Sequence, residues 1–355
     1  MSVTTSSSLP SEALTAGQLP KHTAIAMLVV AVAITAGVLA LFGAAGPASV
    51  IVVGALLFLV AMFALSGAVE GIRKAKDRMA RYVVTGFFII ALFPLVSLIW
   101  QTIAKGLERM DAQFFSYSMR NVIGEGGGAV HAIWGTLIVT GIAGLISVPI
   151  GLFTAIYLVE YSGRGRLAAA IRFFVDVMTG IPSIVAGLFA YTLFSFVFGP
   201  GTNSGFAGAI ALSVLMIPTV VRSVEEMLRL VPNELREASY ALGVPKWRTI
   251  AKVVLPTALA GIVTGVVLSV ARVIGETAPL LVTAGITSSL NVNPFADPMA
   301  TLPVFVYYQY ITPGVPQDPF YARAWAGALT LILIVMGLNA IGRLIAWKFA
   351  PKTGR

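Results

Sequence analysis

The segment EASYALGVPKWRTIAKVVLP, residues 237–256, is polar and amphipathic, although long hydrophobic segments lie on both sides of it. Asn233 is suited to cap the start of a helix, and Gly243 suits the left-handed conformation that ends one. Pro245 then fits the first turn of a second helix. The sequence therefore predicts two short helices, set at an angle and joined at GVP, between two membrane spans.

Each of the two predicted helices has an apolar stripe beside a charged rim. The stripes are formed by Leu235, Ala238 and Leu242 on the first helix and by Val244, Trp247, Ile250 and Ala251 on the second. Such a segment fits an amphipathic helix at the membrane surface, a DNA-reading helix-turn-helix, or a docking helix that inserts into a partner protein. The distance between the neighbouring hydrophobic segments is too short for a DNA-binding module with its own core. The first and third interpretations remain.

The composition is that of a membrane protein. The 355 residues are 57% hydrophobic and only 11% charged, and the mean hydropathy is +0.90. A soluble domain usually carries about 25% charged residues. Cysteine is absent and there are two histidines, so the sequence excludes a disulfide framework and disfavours thiolate chemistry and a histidine-rich metal site. We expect no catalytic residues, no metal and no cofactor in this chain.

Hydrophobic segments long enough to cross a membrane, about 20 residues each, occur eight times. They are residues 23–43, 48–69, 82–104, 132–158, 168–197, 206–228, 256–278 and 325–347. The first two form a hairpin that turns at GAAGP, and residues 1–22 read as a disordered polar tail. Pro182 falls inside the predicted span 168–197, where it predicts a kink or a bending point. The fold class is therefore all-α and polytopic.

The lysines and arginines are distributed unequally between the two predicted sides of the membrane. With the N-terminus inside, only four of them reach the outer side, namely Lys105, Arg109, Arg120 and Arg323. The positive-inside rule then places both termini and the segment 237–256 in the cytoplasm. Topology explains most of the net charge of +9, so no nucleic acid is expected as a partner. We expect membrane lipid around the spans and a location in the bacterial cytoplasmic (inner) membrane.

One loop invites comparison with a phosphate-binding motif. GEGGGAV at residues 124–130 is rich in glycine, but no GK[ST] sequence follows it and Glu125 would repel an anion. We therefore expect this loop to be a flexible linker into the next span. A P-loop ATP site is absent from the whole sequence.

The segment 237–256 resembles the EAA loop of ABC-importer permeases, whose pattern is E-A-A-x3-G-x9-I-x-L-P. The matching residues are Glu237, Ala238, Gly243, Leu255 and Pro256, while Ser239 and Val253 depart from the pattern conservatively. The resemblance implies a type I importer core of six transmembrane helices and a cytoplasmic coupling helix, here at 234–252, that docks on a separate ATPase. The ATPase-coupling residues that it implies are Glu237, Ala238, Leu242, Gly243, Trp247 and Pro256.

Three longer segments are similar to PstA-type permeases of phosphate importers. They are RSVEEMLRLVPNELREASYALGVPKW (222–247), ARVIGETAPLL (271–281) and MATLPVFVYYQY (299–310). The resemblance covers about residues 75–350, which implies a permease domain there and leaves the N-terminal hairpin at 23–70 as an extra element. This hairpin is either a lipid-facing addition or a docking surface for another membrane protein. Gly261 and Gly265 form a GxxxG motif that permits close helix packing or an interface with a sister permease.

A phosphate path needs groups that can replace the water around an anion, and arginine suits that role better than lysine. Arg272 and Glu276 are one helical turn apart, so they either neutralise each other or form part of the path, with Glu276 holding and releasing Arg272. Arg222 either meets phosphate on its exit or extends to lipid headgroups. Arg172 and Asp176, also one turn apart, are predicted to be a structural pair.

The resemblance implies the function and the partners. This chain would form half of a phosphate path, beside a PstC-type sister permease, a PstB-type ATPase and a PstS-type phosphate-binding protein. Two alternatives remain open: a permease for another oxyanion such as phosphonate or molybdate, and a membrane sensor that transports nothing. An intramembrane enzyme is disfavoured, because no nucleophile and base, or set of metal ligands, is expected to meet inside the spans.

Overall fold

A computed structural model describes residues 17–20, 22–163 and 165–349 of the chain. All regular elements in these ranges are helices, which confirms the predicted fold class. The fourteen α-helices are α1 (Thr23–Leu41), α2 (Pro47–Glu70), α3 (Ile72–Leu107), α4 (Ala112–Ser116), α5 (Val130–Ile156), α6 (Arg166–Gly180), α7 (Ser183–Phe198), α8 (Gly205–Arg229), α9 (Asn233–Ala241), α10 (Lys246–Thr249), α11 (Leu255–Val273), α12 (Ala278–Thr283), α13 (Leu302–Ile311) and α14 (Asp318–Phe349). Single π-helical turns follow α5 (Tyr157–Tyr161) and α10 (Ile250–Val254). Most of the predicted tail at 1–22 lies outside the described residues.

The chain divides into two compact units, Met1–Ile99 and Trp100–Arg355. In the first unit, α1 and α2 form the predicted hairpin, and a side chain at Gly54 would touch Val32 of the facing helix. Most side chains of both helices are exposed, and the exposed ones are largely apolar. At the end of α2, Glu70 accepts hydrogen bonds from Leu19 N, Ser66 Oγ and Arg78 Nη2 at 2.7–2.8 Å. These bonds fix the turn into α3.

The core of the second unit is the packing of α5 against α8. Alanine, glycine and serine are frequent on the facing sides of both helices, so the backbones approach closely, as is usual between membrane helices. A Cβ at Gly151 of α5 would lie 2.6 Å from Cγ1 of Val220 on α8, which leaves no space for a larger residue. Of the helices long enough to cross a membrane, α8 has the largest buried share, and it is the central helix of this unit.

The predicted span 168–197 is not one straight helix. The chain bends by 107° between α6 and α7, at Ile181 and Pro182. Proline restricts the residue before it to extended conformations, and Ile181 has φ −70° and ψ 127° accordingly. In the described ranges, seven helices are long and apolar enough to cross a membrane, and the bent pair α6–α7 is an eighth candidate. The predicted kink at Pro182 is therefore a complete break.

The GxxxG motif of α11 packs within the chain. A Cβ at Gly265 would lie 2.6 Å from Cβ of Ser223 on α8, and one at Gly261 would meet the side chain of Met227 on the same helix. These two glycines thus bring α11 against α8. The contact explains the motif without a second subunit.

Two arginines hold the loop 124–130 in place, so the expectation of a flexible linker was wrong. Arg323 is 1% exposed and donates from Nη1 to the carbonyls of Gly124 and Gly126, at 2.7 and 3.1 Å. Arg109 donates to the carbonyl of Gly127 at 2.8 Å. Gly128 is packed against backbone carbonyls of the segment 113–117. Glycine is favoured at 124, 126 and 127 because the backbone there has positive φ, and at 128 because a Cβ would lie about 2.5 Å from a backbone carbonyl oxygen.

Candidate functional site

A cavity of about 230 Å³ lies where three helical segments of the second unit meet. It is bounded by the break between α6 and α7, by the middle of α8, and by the end of α11. The lining residues are Met178, Thr179, Ile181, Ser183, Leu215, Thr219, Arg272, Val273 and Glu276. The cavity therefore brings together two of the three residues predicted to form the substrate path.

Arg272 and Glu276 share the cavity without forming an ion pair with each other. α11 ends at Val273, and the amide of Glu276 donates to the carbonyl of Val273 in a turn, at 3.1 Å. Glu276 is thus not on the same helix as Arg272, so the prediction of one continuous helical face was wrong. Among the described residues, no carboxylate lies within 4.0 Å of the Arg272 guanidinium. Arg272 is exposed and Glu276 half-buried, which leaves a cation free to meet an anion.

The break between α6 and α7 adds a helix terminus to the cavity wall. α7 begins at Ser183, directly after Pro182, and Ser183 lines the cavity. The first amides of a helix have no carbonyl partner in the same helix, and the helix dipole makes this end favourable for negative charge. An anion beside Arg272 would therefore meet a second favourable group.

Two threonines supply hydroxyl groups to the lining. Thr179 Oγ1 donates to the carbonyl of Val175 at 2.8 Å, and Thr219 Oγ1 donates to the carbonyl of Met216 at 2.7 Å. Each hydroxyl proton is thus engaged within its own helix. The hydroxyls make the wall polar, while Arg272 is the only charged donor in the lining. Neither threonine is predictable from the sequence, because a threonine inside an apolar span is common and carries no distinct signal.

Arg222 lies outside the cavity lining and is held by an ion pair. Its guanidinium contacts the carboxylate of Asp176 on α6. Arg222 is one turn further along α8 than Thr219, and Asp176 is one turn before Thr179 on α6. The pair therefore joins α6 to α8 one turn away from the cavity. The predicted pairing of Asp176 with Arg172 was wrong.

A buried carboxylate organises the arginines next to this pair. Glu225 is 4% exposed and accepts from Arg229 Nη2 at 2.5 Å, and its carboxylate lies 3.6 Å from Arg172 Nε and 4.0 Å from Arg222 Nη1. Glu225 thus balances the charge of Arg229 while it is buried. A buried carboxylate is stable only with such partners. The cluster joins the middle of α6 to the last turns of α8.

The predicted coupling segment forms two short helices, α9 and α10, joined at a glycine. Gly243 has φ +72°, the left-handed conformation that was predicted for it. α9 begins at Asn233 itself, whose side-chain Oδ1 accepts from Arg236 Nη1, so the predicted N-cap role of Asn233 was wrong. Pro245 lies immediately before α10 and not in its first turn.

Most of the predicted coupling residues are exposed. Leu242 is 84% exposed and Trp247 is 60% exposed, and the segment also exposes Glu237, Ala238, Gly243 and Pro256. An apolar patch on a protruding turn is typical of a surface that docks on another protein. The second predicted stripe is divided, since Ile250 is buried at 4% while Trp247 points outward.

Ser239, which departs from the EAA pattern, has a partner in the structure. Its hydroxyl is buried and lies 2.8 Å from Oγ1 of Thr249 on α10. A hydroxyl at this position therefore ties the two short helices together, which the alanine of the pattern would not do. The contact explains how the departure is accommodated.

The comparisons with known proteins agree with this architecture. Residues 147–354, more than half of the chain, match the family described as "Binding-protein-dependent transport system inner membrane component". The chain belongs to this family. The matched region contains the cavity, the cluster around Glu225 and both short helices.

Curated relatives of this permease are PstA proteins, which confirms the predicted resemblance. The phosphate transport system permease protein PstA 1 of Mycobacterium tuberculosis is 47% identical over 276 residues, which are 77% of this chain and 89% of that protein. PstA of Yersinia pestis is 39% identical over 280 residues, which are 79% of this chain and 92% of that protein. PstA of Haemophilus influenzae is 43% identical, over 72% of this chain and 88% of that protein.

Solved structures share the fold at low sequence identity. A chain of a bacterial alginate ABC transporter matches with a TM-score of 0.56 at 14% identity, over 79% of this permease and 97% of that chain. A chain of the inward-facing MetNI methionine ABC transporter matches with a TM-score of 0.51 at 23% identity, over 62% of this permease and 95% of that chain. The fold is thus that of an ABC-importer permease.

Proposed function

We propose that this chain is the membrane permease subunit of an ATP-driven importer of inorganic phosphate. The observation that carries the proposal is the 47% identity, over most of both chains, to a protein named for phosphate transport. The cavity agrees with it, because its one basic residue, Arg272, has no carboxylate partner within the described ranges. An anion would supply the ion-pair partner that the guanidinium of Arg272 lacks.

Within this proposal, Arg272 binds the phosphate oxygens and Glu276 controls Arg272. A guanidinium offers two parallel donors to a phosphate, and the amides at the start of α7 add uncharged donors. Glu276 lines the same cavity without touching Arg272 in the present conformation. When the path changes its access, the Glu276 carboxylate takes Arg272 from the anion and so releases the phosphate.

We assign Arg222 to the exit of the path. Its ion pair with Asp176 closes the space between α6 and α8 one turn from the cavity. A phosphate that leaves the cavity in this direction replaces Asp176 as the partner of Arg222. Both side chains of this pair are about half exposed, at 45% and 57%, so an anion in water can reach them.

The coupling segment, 234–252, would dock on a separate ATPase through the exposed Leu242 and Trp247. By the positive-inside rule, this segment and both chain termini lie in the cytoplasm in this proposal. The family description, an inner membrane component, supports the bacterial cytoplasmic membrane as the location of the spans. The other partners in the proposal are a PstC-type sister permease, a PstB-type ATPase and a PstS-type phosphate-binding protein on the outer side. Residues 75–350 form the permease domain.

The hairpin at 23–70 is a lipid-facing addition in this proposal. Its exposed side chains are mostly apolar and cover the faces of α1 and α2 that do not pack against each other, which suits lipid contact. Deletion of residues 1–70 is expected to leave phosphate uptake in cells unchanged. Loss of uptake, with the truncated chain still present in the membrane, would show that the hairpin docks on an essential partner.

Reconstitution of this chain with the three partner types in proteoliposomes tests the function. Labelled phosphate is expected to accumulate only with ATP, and unlabelled phosphate is expected to compete while sulfate, molybdate and phosphonate do not. Preferred uptake of one of those other oxyanions would reassign the substrate. Stimulation of the ATPase without any accumulation would favour a sensor.

A further inference from the structure

We propose that the ion pair between Glu160 and Arg236 is the positioning element that transmits movement of the coupling helix to the wall of the cavity. This inference rests on the proposed function, since it assumes that an ATPase moves α9. It concerns a different contact from the docking surface, because the side chains of Glu160 and Arg236 are largely buried, whereas the docking residues Leu242 and Trp247 are exposed.

The pair joins residues 76 positions apart in the sequence. Arg236 donates from Nε and Nη2 to the same carboxylate oxygen of Glu160, at 3.1 and 2.8 Å. The side chains of Arg236 and Glu160 are only 13% and 4% exposed. Glu160 lies in the π-helical turn that ends α5, while Arg236 is in the middle of α9. A buried pair of this kind holds its two elements at a defined distance, because neither charge can leave without losing its partner.

The same guanidinium also binds the end of α8. Nη2 donates to the carbonyl of Leu228 at 2.9 Å, and Nη1 donates to the carbonyl of Val231 at 2.6 Å. α8 is the helix that places Leu215 and Thr219 in the cavity. Arg236 therefore connects the coupling helix to two spans at once, and one of these spans forms a cavity wall.

α10 reaches the same turn of α5. Nζ of Lys246 lies 5.1 Å from the ring centroid of Tyr161, the residue next to Glu160. The buried bond between Ser239 and Thr249 joins α9 to α10. The two short helices thus form one unit that touches the end of α5 at two neighbouring residues. A push on this unit moves the ends of α5 and α8 together.

The proline inside α8 lies at the level of the cavity. Pro218 is inside the helix, next to Thr219, and removes one hydrogen bond of the helical ladder. A displacement applied near Leu228 can therefore change the direction of α8 at Pro218. The residues that line the cavity lie beside this point, so such a change alters access to Arg272.

The test uses the complete transporter in proteoliposomes and compares Glu160→Gln, Arg236→Lys and the exchanged pair Glu160→Arg with Arg236→Glu. The readouts are capture of the ATPase, the rate of ATP hydrolysis, and the number of phosphate ions imported per ATP hydrolysed. A matched control is Asp77→Asn, which removes an ion pair with Arg81 whose side chains are 75% and 70% exposed.

We expect Glu160→Gln to capture the ATPase and to hydrolyse ATP, while the phosphate imported per ATP falls about tenfold, a change within the range usual for coupling between sites. The phosphate imported per ATP should fall less in Arg236→Lys, because lysine keeps the charge but cannot bind Glu160 and both carbonyls together. The exchanged pair should recover part of the ratio, and Asp77→Asn should match the wild type.

An unchanged ratio in Glu160→Gln would overturn the inference. So would a parallel loss of ATPase capture, hydrolysis and uptake in both single variants, since that pattern indicates a role in folding or assembly alone. If the wild-type chain itself captures no ATPase and imports no phosphate, the proposed function fails instead.

Discussion

Replacement of Arg272 by glutamine would show how much of the transport rate depends on one cation. Arg272 is the only basic residue that lines the cavity, and no carboxylate in the described part of the chain neutralises it. A charge pair at about 4 Å is worth about 4 kcal/mol at an effective dielectric constant of about 20. A single charge-assisted hydrogen bond, the lower limit, is worth about 1.5–3 kcal/mol.

These energies correspond to a loss of about 10-fold to 1000-fold in rate, since each 1.36 kcal/mol is a factor of ten. The assay is the initial rate of labelled phosphate uptake by the complete transporter in proteoliposomes, at saturating ATP. The uptake rate of Arg272→Lys should fall less, because lysine keeps the positive charge and loses only the planar, two-donor geometry of the guanidinium. Capture of the ATPase should be unchanged, since the cavity does not include the coupling helix.

Arg343→Gln is the matched control, because Arg343 is an exposed arginine near the end of α14 and outside the cavity. Its uptake should equal that of the wild type. An initial rate in Arg272→Gln equal to that of this control, in protein that captures the ATPase normally, would refute the reasoning. The path would then lie elsewhere in the chain.

Three further predictions concern the coupling surface, the packing and the glycine-rich loop. Leu242→Asp, at a side chain that is 84% exposed, should abolish copurification of the ATPase and leave the Tm unchanged; normal copurification would refute the docking role. Gly187→Ala places a Cβ 2.6 Å from Cα of Pro279, so it should lower the free energy of unfolding by about 1–3 kcal/mol and reduce the Tm. Gly141→Ala is the control, because its Cβ would meet nothing within 4 Å and the Tm should not change. Arg323→Met removes two hydrogen bonds to the loop 124–130, so limited proteolysis should cut this loop faster than in the wild type; equal cleavage rates would contradict its anchoring role.

The spans and the coupling helix were predictable because each has a strong local signal. Long uncharged segments have few alternatives to crossing a membrane, and seven of the eight predicted spans each correspond to one helix. Gly243 was predictable for a different reason: a glycine between two amphipathic stretches is the residue that permits positive φ at low cost. Arg272 and Glu276 were placed together because charged residues are rare in spans.

The pairings between helices were not predictable, because they depend on tertiary neighbours. Asp176 has Arg172 one turn away in sequence, yet its partner is Arg222 on another helix. Likewise, Glu160 and Arg236 are 76 residues apart, and nothing local in the sequence connects them. The end of α11 before Glu276 was missed because hydropathy continues through the turn at Gly275, whereas the helix does not.

The break at Pro182 was missed because hydropathy measures composition and not direction. α6 carries Arg166, Arg172 and Asp176, while α7 carries no charge at all. The single apolar run therefore joins an amphipathic helix, which suits the membrane surface, to a helix that suits the membrane interior. A change of amphipathicity at a proline is the signal that would have found the break.

The bent pair α6–α7 decides whether the number of membrane crossings is odd or even. Seven single-helix spans, the number in the described ranges, are odd, so on their own they would leave the start of α1 and the end of α14 in opposite compartments. α7 is 16 residues long, about 24 Å at 1.5 Å per residue, and the bent pair α6–α7 is the eighth candidate span. If this pair crosses the membrane, the number is even and both of those helix ends face the same compartment.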